Sequence, residues 1–251
     1  MEHPFTWYNL LPHSLQLFLP QHIFFALLVM IFLVILAAGA RRALIRSSNP
    51  VIPEEGLGLR NLMEVLVDFV VGLSDSIMGK KGRKYVPLFG TFFIFILAAN
   101  LSGLLPGFSP PTNNFNITFG LGLVSFVAYN TFGFREHGKG YIKQFIGPMT
   151  SLPSTPKKVL SLLFVPILVV SVSFFFILES ISHFVRPLSL GLRLFGNIFG
   201  DHLVVEIFTE LTKVIIPVAF YVLGALVSVI QAFVFTLLSV IYVAMAISHE
   251  H

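Results

Sequence analysis

The sequence predicts an all-α, polytopic integral membrane protein, with about five membrane-embedded helices and one interfacial amphipathic helix in a single membrane domain, 1–251. Three observations predict it: the composition, a series of long apolar runs, and the basic residues that cluster between these runs. Of the 251 residues, 55% are hydrophobic and 11% are charged, against about 25% charged in an average soluble domain. Because so few charges could not cover the surface of a water-soluble fold, the bilayer is the expected solvent.

Composition and motifs also exclude several function classes. The chain has no cysteine, so disulfides, thiolate metal sites and cysteine nucleophiles are excluded. It has no phosphate-binding glycine loop, no His-Glu-x-x-His zinc motif and no Gly-x-Ser-x-Gly elbow. We therefore expect a non-catalytic chain with no nucleotide site, no cofactor and no metal. The net charge of +4 comes without a long basic run, which argues against a nucleic-acid partner.

The first predicted transmembrane helix covers residues 22–40, a nearly uninterrupted apolar run that is long enough to cross a hydrocarbon core. Arg41, Arg42 and Arg46 follow at once. By the positive-inside rule they place this end in the cytoplasm and the N-terminus outside. The preceding residues 1–21 lack an early basic region, so they do not resemble a cleaved signal peptide.

Residues 59–78 are predicted to form the interfacial helix, because their apolar and polar residues fall on opposite helical faces. Three acids, Glu64, Asp68 and Asp75, argue against a membrane-spanning position. The next loop is held on the cytoplasmic side by four basic residues: Lys80, Lys81, Arg83 and Lys84.

Two further transmembrane helices are predicted, at 86–105 outward and at 115–134 inward. The loop between them, 106–114, is rich in turn residues and carries no charge, which suits the outer side. A third basic loop follows residue 134. All three basic loops thus agree with one orientation.

The last two predicted helices, 159–211 and 218–247, are longer than a perpendicular crossing needs. Helices of this length must tilt strongly in a hydrocarbon core of about 30 Å. We expect them to pack as an inclined hairpin that returns the C-terminus to the cytoplasm.

The first helix of this hairpin carries ionisable residues at membrane depth, and such residues are by default functional. Arg193 is surrounded by leucine and phenylalanine. Four polar side chains fall within about 80° of it at a helical step of about 100°: Glu179, Arg186, Asn197 and Asp201. His202 falls on the opposite side. Because a guanidinium does not deprotonate, Arg193 is a fixed positive charge that favours proton release from a nearby carboxylic acid. The alternative is an arginine paired structurally with Glu179 or Asp201.

Three weaker patterns leave alternatives open. A polar line on the second helix around Gln231 could hold a file of waters or could serve as interhelical hydrogen bonds. The spacing of Gly196 and Gly200 admits either a partner helix or internal packing. His183 and His202 are candidates for a proton relay, although a backbone carbonyl could equally satisfy His183.

Three stretches closely resemble subunit a of F-type ATP synthases, in spacing and in order over nearly the whole chain. The longest is Arg186-Pro-Leu-Ser-Leu-Gly-Leu-Arg-Leu-Phe-Gly-Asn197, and Gln231-Ala-Phe-Val-Phe and Asn100-Leu-Ser-Gly-Leu-Leu-Pro106 are also similar.

The resemblance implies a stator subunit that supplies two offset half-channels to the carboxylates of a rotating c-ring. Arg193 matches the essential arginine that separates them. Other residues match polar positions along the proton route or stand beside one that does: Glu179, Ser189, Asn197, Asp201, His202 and Gln231. The implied partners are the c-ring, the peripheral-stalk b subunits, the lipid bilayer and protons. The absence of a transit peptide favours a bacterial plasma (inner) membrane, although an organelle-encoded chain would look alike. Ring size and the choice between proton and sodium stay open.

The sequence departs from the family pattern in two respects. Some relatives pair Glu and His at the positions of His202 and Gly224, in either order, and some carry acids near Gly103 and Phe108. Here only His202 is titratable among these four residues, so the route into the outer half-channel stays open. The rival hypotheses are an anion transporter that binds its substrate at Arg193, and a structural subunit in which Arg193 tolerates replacement.

Overall fold

The computed structural model describes residues 6–46, 58–138, 140–141, 158–212 and 215–248. Within these ranges every regular element is a helix and none is a strand, so the predicted all-α class is confirmed. In this part of the chain, four helical stretches are long and apolar enough to cross a membrane: Gln21–Arg46, Leu59–Ser102, Phe115–His137 and Val218–Ile247. They agree with a polytopic membrane protein, whereas the number of embedded helices stays a prediction.

The α-helices are, in chain order, α1 His13–Phe18, α2 Gln21–Arg46, α3 Leu59–Met78, α4 Val86–Ser102, α5 Phe115–His137, α6 Lys158–Leu211 and α7 Ile215–Ile247. Short 3-10 helices at Trp7–Leu10, Gly79–Tyr85 and Pro111–Asn113 lie before or between them. Most of the third basic loop, residues 142–157, falls outside the described residues.

The turn between α4 and α5 is set by its local sequence. The structure ends α4 at Ser102, earlier than residue 105, where the predicted span ends, because Pro106 cannot continue a helix and Gly107 adopts a positive φ of 79°. Asn114 then caps α5 by accepting a hydrogen bond from the backbone N–H of Asn116 at 2.9 Å. The uncharged loop between these helices is therefore short, and local sequence fixes where it begins and ends.

The core lies where α4, α5, α6 and α7 meet. Fully or almost fully buried apolar side chains line it from all four helices: Phe89, Phe92, Phe93 and Ile96 of α4, Tyr129 of α5, Leu190, Leu194 and Ile198 of α6, and Ala232, Phe235, Val240 and Val243 of α7. Because these residues recur mostly every three to five positions on α4, α6 and α7, each of these three helices turns one face to the core.

Helix α3 packs beside this core, against α2, α4 and α7. The ring of Phe69 lies 5.1 Å from that of Phe93 and 5.9 Å from that of Phe233. On α3, Arg60 is buried and contacts Glu64 at 2.7 Å, and Asp75 contacts Arg83 of the following 3-10 helix at 2.7 Å. The position of α3 at the membrane surface stays a prediction.

The long helices α6 and α7 have 54 and 33 residues, which correspond to about 81 Å and about 50 Å. Both exceed a hydrocarbon core of about 30 Å, which is the physical reason to expect a tilt. They contact each other, and near their junction the rings of Phe208 and Phe220 stack at 4.6 Å.

Helices α5 and α6 cross at backbone distance. A Cβ placed on Gly191 would lie 2.8 Å from Cα of Phe119. A Cβ on Gly122 would collide with the carbonyl oxygen of Pro187. Since only glycine permits such an approach, this crossing fixes how α6 is held against α5.

Candidate functional site: the ionisable segment of α6

Arg193 lies on the outward face of α6. The inward face is fixed by Leu190, Leu194 and Ile198, each no more than 3% exposed, and one residue of rotation from Leu194 turns Arg193 away from the core. Arg193 is exposed, and within the described part of the chain its guanidinium has no ion-pair partner. The predicted structural alternative, a salt bridge from Arg193 to Glu179 or Asp201, is therefore not formed.

The surface around Arg193 is apolar or small. We call it the Arg193 face, and it comprises the following residues of α6: Leu192, Arg193, Gly196, Asn197, Gly200 and Leu203. Asn197 is exposed, as are Leu192 at 49% and Leu203 at 40%. A Cβ on Gly196 or Gly200 would meet nothing within 4 Å. The two glycines thus do not serve packing among the described residues, and the space in front of them is open.

Beyond Arg193, towards the uncharged loop, two titratable side chains occupy space left by glycines. A Cβ on Gly224 of α7 would lie 2.5 Å from Oδ2 of Asp201. A Cβ on Gly103, just after α4, would lie 2.6 Å from Nε2 of His202. We call these four residues the loop-side cluster. Asp201 therefore points to α7, and His202 points to the residue just after α4. Each of these titratable groups fills a position where the neighbouring glycine has no side chain.

Buried polar groups continue from the loop-side cluster into α7. Asn100, 3% exposed, donates from Nδ2 to the carbonyl oxygen of Ser228 at 3.5 Å. Its Oδ1 accepts a hydrogen bond from Oγ1 of Thr112 at 2.7 Å. Gln231, three residues beyond Ser228, is half-buried. Asn100 therefore ties α4 and the uncharged loop to the polar line of α7.

On the other side of Arg193, towards the basic end of α5, lies a second group, the basic-end cluster: Glu179, His183, Arg186, Tyr129 and Tyr242. His183 is 6% exposed. Its Nε2 contacts Oε1 of Glu179 at 3.2 Å, and its Nδ1 shares a hydrogen bond with the hydroxyl of Tyr129 at 3.1 Å. The guanidinium of Arg186 lies over the rings of Tyr129 and Tyr242, 5.9 Å and 5.4 Å from their centroids.

A further polar contact lies one helical turn from Tyr129 and Tyr242, on the Arg193 side of the basic-end cluster. Oγ of Ser125 on α5 donates to Oγ of Ser239 on α7 at 3.0 Å, and both residues are buried. Ser189 of α6 is half-buried and lies between the cluster and Arg193 along the helix.

The two clusters are separate along α6. At 1.5 Å per residue, Glu179 lies about 21 Å and Asp201 about 12 Å from Arg193, in opposite directions along the helix axis. The structure therefore does not gather the predicted site residues into one pocket. It places a titratable group on each side of an unpaired arginine. Among the described residues, no three His, Asp or Glu side chains are grouped so as to hold a metal ion.

Sequence reasoning missed several members of this arrangement. Tyr129, Ser125 and Thr112 lie on apolar helices or in the loop, where a single hydroxyl carries no periodic signal. Phase on α6 alone also placed Asp201 with Arg193 and could not find its contact with Gly224 of α7. The signal that could have found it is the pair of glycines, Gly103 and Gly224, at family positions that carry side chains in some relatives.

Comparison with known proteins decides the family. A family model described as ATP synthase A chain matches residues 22–244. The chain belongs to this family. ATP synthase subunit a of Bdellovibrio bacteriovorus is 41% identical over 86% of this chain and 86% of its own length. That of Trichlorobacter lovleyi is 37% identical over the whole of both chains. ATP synthase subunit a 1 of Syntrophotalea carbinolica is 43% identical over 77% of this chain and 75% of its own.

Membership of the ATP synthase A chain family and the long apolar helices give the coarse assignment. The chain is a membrane-embedded protein of ATP synthesis and proton transport. The resemblance identified from the segment around Arg193 is confirmed by these matches.

Proposed function

We propose that this chain is the proton-translocating stator subunit of a rotary F-type ATP synthase in a bacterial inner membrane. In this proposal it supplies two offset half-channels to the carboxylates of a c-ring, and Arg193 separates them. The observation that carries the proposal is the exposed, unpaired Arg193 between two distant titratable clusters. A single pocket would suit a transporter that binds its substrate at Arg193, and a paired arginine would suit a structural subunit.

The fixed positive charge of Arg193 accounts for the separation of the two half-channels. Its guanidinium stays protonated at every accessible pH. In a membrane it attracts a deprotonated carboxylate that comes near and repels an excess proton. A ring carboxylate would therefore release its proton on one side of Arg193 and pass the arginine as an anion. It would take up a new proton on the other side.

The Arg193 face supplies the surface for the ring. It is apolar apart from Arg193 and Asn197, and its two glycines leave room for close approach of another helix. Such a surface suits a ring of apolar helices that each bring one carboxylate past Arg193. The peripheral-stalk b subunits would hold this chain still against the rotating ring.

The two clusters supply the half-channels. The loop-side cluster, with Asn100 and Gln231, lies beside the uncharged loop, which the positive-inside rule places outside. The basic-end cluster, with Ser189 between it and Arg193, lies towards the cytoplasm. In this orientation the N-terminus is outside and the C-terminus is cytoplasmic. Each elementary charge that crosses 100 mV contributes about 2.3 kcal/mol, so several protons together can drive the synthesis of one ATP by partner subunits.

Cross-linking tests whether the Arg193 face meets the ring. The chain has no native cysteine, so single replacements report one position each. Leu203→Cys is expected to form a disulfide with a cysteine scanned along the outer surface of the c subunit. Val34→Cys is the matched control, because Val34 is also apolar and 67% exposed but lies on α2, which packs against α3 and α4. Equal cross-linking of both variants, or of Val34→Cys alone, would reject the proposed surface.

A further inference from the structure

The basic-end cluster contains a buried titratable residue, His183, to which the proposed function assigns no individual role. His183 is 6% exposed and Tyr129 is 1% exposed, whereas the side chain of Glu179 is 38% exposed. The three residues thus form a line that starts at a solvent- or lipid-accessible carboxylate and ends at a buried hydroxyl. An imidazole in the middle of such a line can take a proton on one nitrogen and present the other to its second partner.

The hydrogen bonds of His183 can be kept in both protonation states. When the ring is neutral with its proton on Nδ1, Nδ1–H donates to the hydroxyl oxygen of Tyr129, and Nε2 accepts a hydrogen bond from protonated Glu179. When the proton of Glu179 moves to Nε2, Nε2–H donates to the Glu179 carboxylate, and Nδ1–H still donates to the Tyr129 hydroxyl, because a tyrosine hydroxyl can accept. Protonation through Nε2 therefore breaks neither contact of His183.

The charges around His183 favour transfer of an excess proton from its ring towards Glu179. Among the described residues, the charged and titratable groups near His183 include Glu179 and Arg186 of α6, Tyr129 of α5, Tyr141 just after α5, and Tyr242 of α7. Arg186 lies over the two tyrosine rings and presents a permanent positive charge on that side. A proton on His183 is therefore repelled by Arg186 and attracted by the carboxylate of Glu179.

We propose that His183 is a proton-carrying residue of the cytoplasmic half-channel, exchanging a proton with Glu179 through Nε2 while Tyr129 holds Nδ1. This inference rests on the proposed function. In one direction the O–H bond of protonated Glu179 breaks and an Nε2–H bond forms on a ring whose other proton is on Nδ1. The products are a carboxylate and an imidazolium. In the other direction the same proton returns to Glu179.

Passive proton flow through vesicles stripped of the peripheral ATPase tests this role. In inverted membrane vesicles the cytoplasmic face is in contact with the bath, so bath pH sets the protonation of the cytoplasmic half-channel. We expect the wild-type flux to change between about pH 5 and 8, the range in which imidazoles titrate. His183→Gln is expected to lower the flux at pH 7 by about a hundredfold, the lower end of what a proton-transferring side chain contributes, and to flatten this dependence. His13→Gln is the matched control, since His13 is an exposed imidazole near the N-terminus.

Tyr129→Phe provides a second readout if His183→Gln fails to assemble. It removes only the hydroxyl, and we expect the pH dependence of the flux to change while the purified complex keeps its composition. If either assembled variant keeps the wild-type flux and pH profile, His183 is structural and the inference is wrong. The proposed function stands or fails separately, because it requires loss of ATP-driven pumping in Arg193→Ala. A variant of Arg193 that still pumps would refute it whatever His183 does.

Discussion

At the scale of single residues, the glycines of the loop-side cluster bear on the route to Arg193, which the sequence left open. Titratable side chains are absent at Gly103 and Gly224, but the space they would fill is taken by His202 and Asp201 from α6. The same two sites thus carry titratable groups that are supplied by a different helix. This agrees with a route to Arg193 on that side even though two family positions have no side chain.

Gly224→Ala tests that arrangement. Its Cβ would lie 2.5 Å from Oδ2 of Asp201, so the carboxylate must move, which a flexible side-chain end can do without unfolding the chain. We expect normal assembly but a fall in ATP-driven proton pumping of roughly tenfold or more, because small misplacements of reacting groups cost that much. The measurement is acidification of inverted membrane vesicles.

Gly90→Ala serves as the control, since a Cβ there meets nothing within 4 Å. It should pump at the wild-type rate. Wild-type pumping by Gly224→Ala would mean that the carboxylate of Asp201 has no part in the route.

At the scale of helices, the pattern of apolar residues predicted the existence and type of the elements wherever one face of a helix is apolar throughout. The all-α class followed from composition and from the long apolar runs. The contacts between helices did not follow, because phase on one helix does not reveal which neighbour it faces. Asp201 and His202 are adjacent in sequence, yet they contact α7 and the end of α4 respectively. Likewise, only the contact of Tyr129 with His183 of α6 identified Tyr129 as a member of the site.

The crossing of α5 and α6 gives a prediction about stability. In Gly191→Ala the new Cβ would lie 2.8 Å from Cα of Phe119 and 3.1 Å from the carbonyl oxygen of Thr118. Backbone must then separate, and overpacking of this kind costs about 1–3 kcal/mol. We expect a lower thermal midpoint of the detergent-solubilised complex and less of this chain retained in it.

Gly120→Ala on the same crossing helix is the control, because a Cβ at Gly120 meets nothing within 4 Å. Alanine favours a helix over glycine by up to about 1 kcal/mol, so this variant should be as stable as the wild type or more stable. Equal thermal midpoints for the two variants would contradict the close crossing.

At the scale of the whole molecule, one long helix organises the site. The apolar residues of α6 hold it against α5 and α7, and the same periodicity turns Arg193 outward. The ionisable residues on either side of Arg193 are held by α5 and α7 at one end, and by α7 and the residue just after α4 at the other. Along α6, Arg193 lies between the two clusters. This arrangement suits two half-channels that communicate only through a moving partner.

The most direct test of this account is ATP-driven proton pumping by Arg193→Ala in the assembled complex. Arg135→Ala is the matched control, since Arg135 is exposed at the basic end of α5 and lies outside both clusters. Assembly is checked by purifying the chain together with the ring. We predict that Arg193→Ala assembles but loses pumping, while Arg135→Ala pumps at close to the wild-type rate. Pumping by assembled Arg193→Ala at the wild-type rate would contradict the central claim that this arginine separates two half-channels.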